Sequence, residues 1–312
     1  MLSLALAAAL TLTLTDPIST PVQVASPLAA LHGTLLTPEG GTRAAAVIIA
    51  GSGPTDRDGN SPLGVSAGSY RLLAEGLAEH GVATVRYDKR GAGESVPALG
   101  NEADLRFEHM VDDALAFAAE TRTRTGQECV WLIGHSEGTG VALLAAARNP
   151  DGICGLVLLS GMGRRPRAIL EEQLGTQLPE PMRTQTFEAL ARLEAGELVA
   201  DTPPALAALL RPSVQPFLIG LLGLDPAALI AAYDGPVFIG QGETDIQTTV
   251  VDARALKTAQ PNATLVIWAG VNHLLKVSPA ERMANFATYS NPDLPLADGV
   301  VEDVAGFILT PR

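Results

Sequence analysis

From residue 31 onward the chain alternates short apolar runs with longer stretches of helical periodicity. This rhythm restricts the fold more than any other feature. Residues 31–36, 46–49, 82–87, 130–133, 156–159, 237–239 and 265–268 read as strands. Several are continuously apolar, as strands buried on both faces of a parallel sheet must be. Residues 70–80, 107–121, 138–147 and 300–308 carry apolar residues at helical spacing, the first closed by Gly81. Alternation of this kind predicts an α/β fold, a mostly parallel, doubly wound sheet. One segment departs from it. Residues 163–232 contain no convincing strand and are helical in pattern, broken by Pro179, Pro181, Pro203, Pro204, Pro212, Pro216 and Pro226. They read as a helical cap inserted over the carboxyl ends of the strands, where open α/β sheets bind ligands.

Composition narrows the partners. A chain of 312 residues with 47% hydrophobic and 18% charged residues is packed and globular. Its net charge of −13 repels nucleic-acid phosphates and anionic membrane surfaces. Residues 2–14 are apolar apart from Ser and Thr, too short to span a membrane comfortably, and similar to the apolar part of a secretory signal. The first Lys or Arg, however, is Arg43, and no small-residue cleavage site follows. Export and a cytoplasmic location both stay open. Residues 1–22 are set aside, and the fold is assigned to residues 23–312. Cys129 and Cys154 are too few for a disulfide framework and lack the spacing of a zinc site. They read as two buried free thiols. The alternative is that the apolar runs they precede are neighbouring strands, so that the sulfurs approach.

The chemistry concentrates in Gly134-His135-Ser136-Glu137-Gly138, a G-x-S-x-G pattern. Alone it occurs often by chance. Here a strand runs into it and an Ala-rich helix leaves it, the context in which a serine sits exposed on a sharp, strained turn. The glycines are needed because side chains at 134 and 138 would collide with neighbouring backbone. Ser136 then stands at a helix N-terminus, where the dipole favours developing negative charge.

A serine hydroxyl needs a base. His135 belongs to the turn itself and points away from Ser136; His32, His80 and His109 precede the serine in strand or helix positions. His273 lies in the loop after the last strand, where the base belongs. A carboxylate between serine and histidine must orient the imidazole. Asp245, in the loop after residues 237–239, is the first choice, Glu243 its nearest rival, and Asp252 a weaker one on the next helix. An oxyanion needs two backbone N–H donors. Glu137, following the serine, supplies one. The loop Gly51-Ser52-Gly53-Pro54 supplies the other, from Ser52 or alternatively Gly53. The Glu137 carboxylate is unexpected beside an oxyanion; a stabilising acid at a helix N-terminus is its plainest explanation.

These motifs, together with Thr55-Asp56-Arg57-Asp58-Gly59-Asn60, Tyr87-Asp88-Lys89-Arg90-Gly91-Ala92-Gly93-Glu94-Ser95, Gln241-Gly242-Glu243-Thr244-Asp245-Ile246-Gln247 and Asn272-His273, fall in the order found in a bacterial group of α/β-hydrolases. Over roughly residues 31–310 the chain resembles carboxylesterases of the EstD type, grouped with serine aminopeptidase-like (S33-like) hydrolases. The resemblance implies the α/β-hydrolase fold and hydrolysis of short acyl esters, with no metal or cofactor and a small-molecule ester as partner. The charged pairs at 56–58 and 88–90 read as locks on glycine-rich loops, with substrate contact as the alternative and Arg90 free to meet a carboxylate near the entrance. The cap is expected to shape an apolar acyl pocket from its Leu and Phe residues. A serine aminopeptidase or amidase would instead need an acidic pocket, which Glu171 and Glu172 leave open, and a thioesterase is a further variant. A non-catalytic binding module of the same fold would have no use for an intact serine, acid and histidine set.

Overall fold

The computed structural model describes residues 16–175 and 177–311. The chain runs β1 (Ile18–Val24), β2 (Leu31–Thr37), β3 (Ala44–Ile49), α1 (Ser69–Glu79), β4 (Val82–Tyr87), α2 (Phe107–Thr125), β5 (Val130–His135), α3 (Glu137–Arg148) and β6 (Ile153–Leu159). Five helices follow: α4 (Pro166–Gly175), α5 (Met182–Glu194), α6 (Ala207–Leu210), α7 (Gln215–Leu222) and α8 (Pro226–Ala231). The chain then returns to β7 (Val237–Gly242), α9 (Val250–Ala259), β8 (Thr264–Trp268), α10 (Arg282–Ala287) and α11 (Val300–Leu309). The strands form a single sheet in the order β1-β2-β4-β3-β5-β6-β7-β8, in which β2 alone runs against the rest.

The apolar runs split their side chains between two cores. Val47, Leu132, Leu158 and Ile239 face one side, packed by α2 and α3. Their neighbours Ile48, Ile133, Val157 and Phe238 face the other, packed by α1 and α11. Period-two alternation with both faces apolar is what makes these strands read as unbroken hydrophobic runs. Leu190, Leu193, Phe217 and Leu222 of the inserted helices belong to the first core. Phe217 lies against Phe107 of α2, with ring centroids 5.6 Å apart. These Leu and Phe residues therefore extend the core.

Residues 18–22, set aside on the sequence, lie in β1, an edge strand antiparallel to β2. An edge position tolerates Pro21, and only Val22 and Val24 are buried. The signal-like residues 2–14 lie outside the described residues. The cysteines are not free thiols: Cys129 and Cys154 form a disulfide, with Cα atoms 5.2 Å apart. β5 and β6 are neighbours, and Cys154 is the extra residue where their register shifts, which turns it toward Cys129. Among the described residues no single helix is long and apolar enough to cross a membrane.

Sheet order decides where a site can form. From β3 the chain leaves toward β4 on one side, then crosses back to β5 on the other. The carboxyl ends of β3 and β5 thus flank a topological switch point, where departing loops open a crevice.

Candidate active site

At the end of β5 the chain reverses into α3 within one residue. Ser136 has φ 54° and ψ −121°, a left-handed conformation that costs a non-glycine residue about 1–3 kcal/mol and persists only when its surroundings enforce it. A Cβ on Gly134 would lie 2.4 Å from the Gly138 carbonyl oxygen, and one on Gly138 would lie 2.4 Å from that of Ile49. Both glycines are required by contact with backbone that cannot move aside. The Ser136 N–H donates to the Leu159 carbonyl at 3.0 Å, fastening the turn to β6.

Asp245 follows β7 and is buried. Its Oδ1 accepts the backbone N–H groups of Gln247 at 2.8 Å and Thr248 at 3.1 Å. Its Oδ2 accepts from Gln241 Nε2 at 3.1 Å and lies 2.8 Å from His273 Nδ1. Burial pushes this carboxyl up; the charge and hydrogen bond of His273, with the Gln247 and Gln241 donors, outweigh burial and hold it below the usual carboxylate range. The carboxylate is therefore ionised and accepts the Nδ1–H of His273. Asn272 shapes the His273 loop: its Oδ1 accepts from the N–H groups of Leu274 and Lys276, and its Nδ2 donates to Thr288 Oγ1 at 2.7 Å. Neither rival acid touches His273. Glu243 faces the Gly270 N–H, and Asp252 on α9 is engaged by Arg164 at 2.9 Å.

Ser136 and His273 line one cavity of about 150 Å³. Its other walls are residues of the loop after β3, between Gly51 and Val65, with Tyr70, His135, Gln247, Leu274 and Tyr289. No carboxylate, lysine or arginine is among these lining residues, and none comes from residues 163–232. The expected acyl pocket built by the cap is therefore not where the serine and histidine meet. Among the described residues the Ser136 hydroxyl makes no hydrogen bond, and the N–H groups of Ser52 and Glu137 donate none. Gly51 sits against the serine, since a Cβ there would come 3.1 Å from Ser136 Cβ. No group of three or more His, Cys, Asp or Glu side chains among the described residues could hold a metal ion.

Further contacts escaped sequence reasoning. His135 Nε2 lies 2.7 Å from the His273 carbonyl, and its Nδ1 2.8 Å from Tyr70 Oη. Burial, and then the neighbouring His273, pull this imidazole down to about 3, so it is neutral at ordinary pH. A carbonyl can only accept, so Nε2 carries the hydrogen, Nδ1 accepts the Tyr70 hydroxyl, and Tyr70 Oη accepts the Gly51 N–H at 2.9 Å. The motif's own histidine thus ties the serine turn to the His273 loop and to the loop after β3. The Glu137 carboxylate accepts Lys89 Nζ at 2.9 Å, both side chains being buried. The other charged clusters lock loops: Arg57 binds Asp88 and Glu94, Arg86 binds Asp58, and Arg90 grips Asp113 of α2 with both Nε and Nη2. The only hint of the Lys89–Glu137 pair in the sequence was an opposite charge inside each of two glycine-rich motifs.

The family model described as serine aminopeptidase, S33, matches residues 63–194, less than half the chain; that span includes Ser136 but not Asp245 or His273. No curated protein matches the chain. Among solved structures the chain is similar to Est1E from Butyrivibrio proteoclasticus with ferulic acid bound, at TM-score 0.60 and 19% identity over 92% of this chain and 96% of that one. It is similar to a dienelactone hydrolase from Anabaena variabilis, at TM-score 0.55 and 17% identity over 94% and 97%. It is also similar to a thermophilic esterase from Thermogutta terrifontis, at TM-score 0.53 and 20% identity over 82% and 92%. The fold they share with this chain is the α/β-hydrolase fold.

Proposed function

We propose that the protein is a serine carboxylesterase acting on short acyl esters. The observation that carries the reading is the convergence of Ser136, on its strained turn, and His273, paired with Asp245 at 2.8 Å, on one uncharged cavity. In this reading Ser136 Oγ attacks the ester carbonyl while His273 Nε2 takes its proton. Asp245 stabilises the imidazolium. The N–H groups of Ser52 and Glu137 receive the oxyanion, helped by the N-terminus of α3. His273 then protonates the departing alcohol, and water, activated by the same imidazole, releases the acid from the acyl-enzyme.

The cavity favours a small, neutral acyl group. At about 150 Å³ it matches the space that holds a benzene molecule in an engineered apolar core. The names of the similar structures, esterases among them, agree with ester hydrolysis. An aminopeptidase would need a carboxylate to grip the substrate amine. None lines the cavity, while Glu171 and Glu172 are occupied by Arg167 and Arg164.

The test is hydrolysis of p-nitrophenyl esters of increasing acyl length, with aminoacyl anilides and acyl thioesters in parallel, by wild type and Ser136→Ala. Turnover of short esters, lost by about 10⁴-fold or more in the variant, is expected. Turnover of anilides or thioesters in place of esters would transfer the reading to an aminopeptidase or a thioesterase. A fully active Ser136→Ala would remove the serine mechanism.

A further inference from the structure

We infer that Lys89 is the positioning residue of the oxyanion site, holding both of its N–H donors from one buried ammonium. The inference rests on the assignment of Ser52 and Glu137 as those donors. Lys89 stands in the loop after β4, on the side of β3 away from β5, yet its side chain reaches across and is only 8% exposed. Nζ donates to the Gly51 carbonyl at 2.8 Å and to Glu137 Oε1 at 2.9 Å. The first partner belongs to the peptide that carries the Ser52 N–H, and the second is the side chain of the other proposed donor, Glu137. The Gly51–Ser52 peptide is trans, so its C=O and N–H point in opposite directions within one plane. Holding the Gly51 oxygen therefore sets the direction of the Ser52 N–H. The Gly51 N–H is fixed as well, by Tyr70 Oη at 2.9 Å, and Thr55 Oγ1 closes the loop by donating to the Ser52 carbonyl at 3.0 Å. Turning the Gly51–Ser52 peptide over would break the Lys89 bond and present a carbonyl where negative charge develops.

The second contact explains the acid that looked out of place. A carboxylate on the residue next to the nucleophile would oppose the oxyanion. The Lys89 ammonium neutralises it through a charge-assisted hydrogen bond, and it anchors the first residue of α3 at the same time. One cation thus connects the loop after β3 to the turn after β5 across the switch point.

The experiment uses the full chain. Lys89→Met leaves Glu137 buried without a partner, so Lys89→Met/Glu137→Gln is made beside it, with both charges removed. Lys89→Arg is the conservative rescue. All are assayed where circular dichroism shows them folded, on an oxygen ester and on the matching thiono ester, whose C=S carbon is attacked equally but whose sulfur gains little from an oxyanion site. Both Met variants should lose about 10- to 100-fold in kcat with KM changed by no more than about threefold, below the ceiling for deleting a donor outright. Their ratio of oxygen-ester to thiono-ester rates should fall by a similar factor, and Lys89→Arg should recover much of it. If the double variant keeps wild-type kcat and the wild-type ratio, Lys89 is an ion pair of the fold and the inference is overturned. A wild type that turns over no ester overturns the esterase reading instead, and the two failures are distinct.

Discussion

Acidification should destabilise this protein through His135. The ring is buried, its Nε2–H committed to the His273 carbonyl and its Nδ1 to the Tyr70 hydroxyl. Protonation would put a hydrogen on Nδ1 facing Tyr70 Oη, which already receives the Gly51 N–H. Burial first, and the nearby His273 second, lower its folded pKa from 6.5 to about 3. Above pH 6.5 both folded and unfolded chains hold a neutral ring, and the stabilising interaction is fully present. Between pH 6.5 and 3 the unfolded chain binds a proton that the folded chain refuses, so stability falls as pH falls. At pH 4.5 this amounts to two pH units at about 1.4 kcal/mol each, roughly 3 kcal/mol relative to pH 7.5. The assay is urea unfolding at both pH values for wild type and His135→Gln, whose amide can still donate to the His273 carbonyl. Other titrating groups cancel in the difference, so the pH-dependent loss should be smaller by about 3 kcal/mol in the variant. Equal losses in the two proteins would show that His135 titrates normally, and the closed network around it would be wrong.

Asp245→Asn keeps the shape but removes the charge that fixes the Nδ1–H tautomer of His273; kcat should fall by about 10³- to 10⁴-fold while unfolding in urea shifts little, and an activity within tenfold of wild type would refute its role. Tyr70→Phe strands the Gly51 N–H and His135 Nδ1, so stability should fall by about 1–3 kcal/mol in chemical denaturation, with kcat falling more than KM rises; an unchanged denaturation midpoint would exclude the network. Replacing Cys129 and Cys154 by Ser opens a loop spanning 25 residues. Calorimetry should show a loss of about 3 kcal/mol. Activity of the folded protein should persist, because the disulfide sits at the amino end of β5, about 20 Å of strand from Ser136.

The central strands read clearly in the sequence because the fold buries them on both faces. Val47-Ile48, Leu132-Ile133 and Phe238-Ile239 each feed both cores, so a continuous apolar run could not be mistaken for a half-exposed strand. β1 was illegible for the opposite reason: with Pro21 in it and only two inward valines, it gains its meaning from pairing with β2. Ser136, Asp245 and His273 could be singled out because each lies just beyond a legible strand, and chain order ranked the acids. The contacts that organise them could not. Lys89 and Glu137 are 48 residues apart, and Tyr70 and His135 are 65 apart. Nothing in a linear pattern brings such pairs together. The disulfide is hidden for the same reason, since Cys129 and Cys154 meet only once β5 pairs with β6. The Leu and Phe residues of the inserted segment were apolar as expected, but apolarity does not distinguish a pocket wall from a second layer of core.

Two carboxylates stand near Ser136, the proposed nucleophile, and the fold gives them opposite fates. The buried Asp245 keeps its charge for His273 because its remaining partners are neutral donors, the Gln247 and Thr248 backbone, the Thr248 hydroxyl and the Gln241 amide. Glu137 is given a full cation, Lys89. In the proposed mechanism the first arrangement preserves a negative charge where the imidazolium forms, and the second cancels one where the oxyanion forms. Exchanging the partners would spoil both steps: a lysine at Asp245 would compete with His273, and amides around Glu137 would leave the oxyanion facing a carboxylate. β6 separates the two halves and contributes neither acid nor base. Its end acts as a spacer, with the Ser160 carbonyl accepting Thr248 Oγ1 at 2.8 Å and the Leu159 carbonyl accepting the Ser136 N–H at 3.0 Å. The His135 bond to the His273 carbonyl then spans that spacer directly. The turn that strains Ser136 therefore also sets the height of His273, its proposed base, so a change at His135 should disturb proton transfer even though the ring itself takes up no proton at neutral pH.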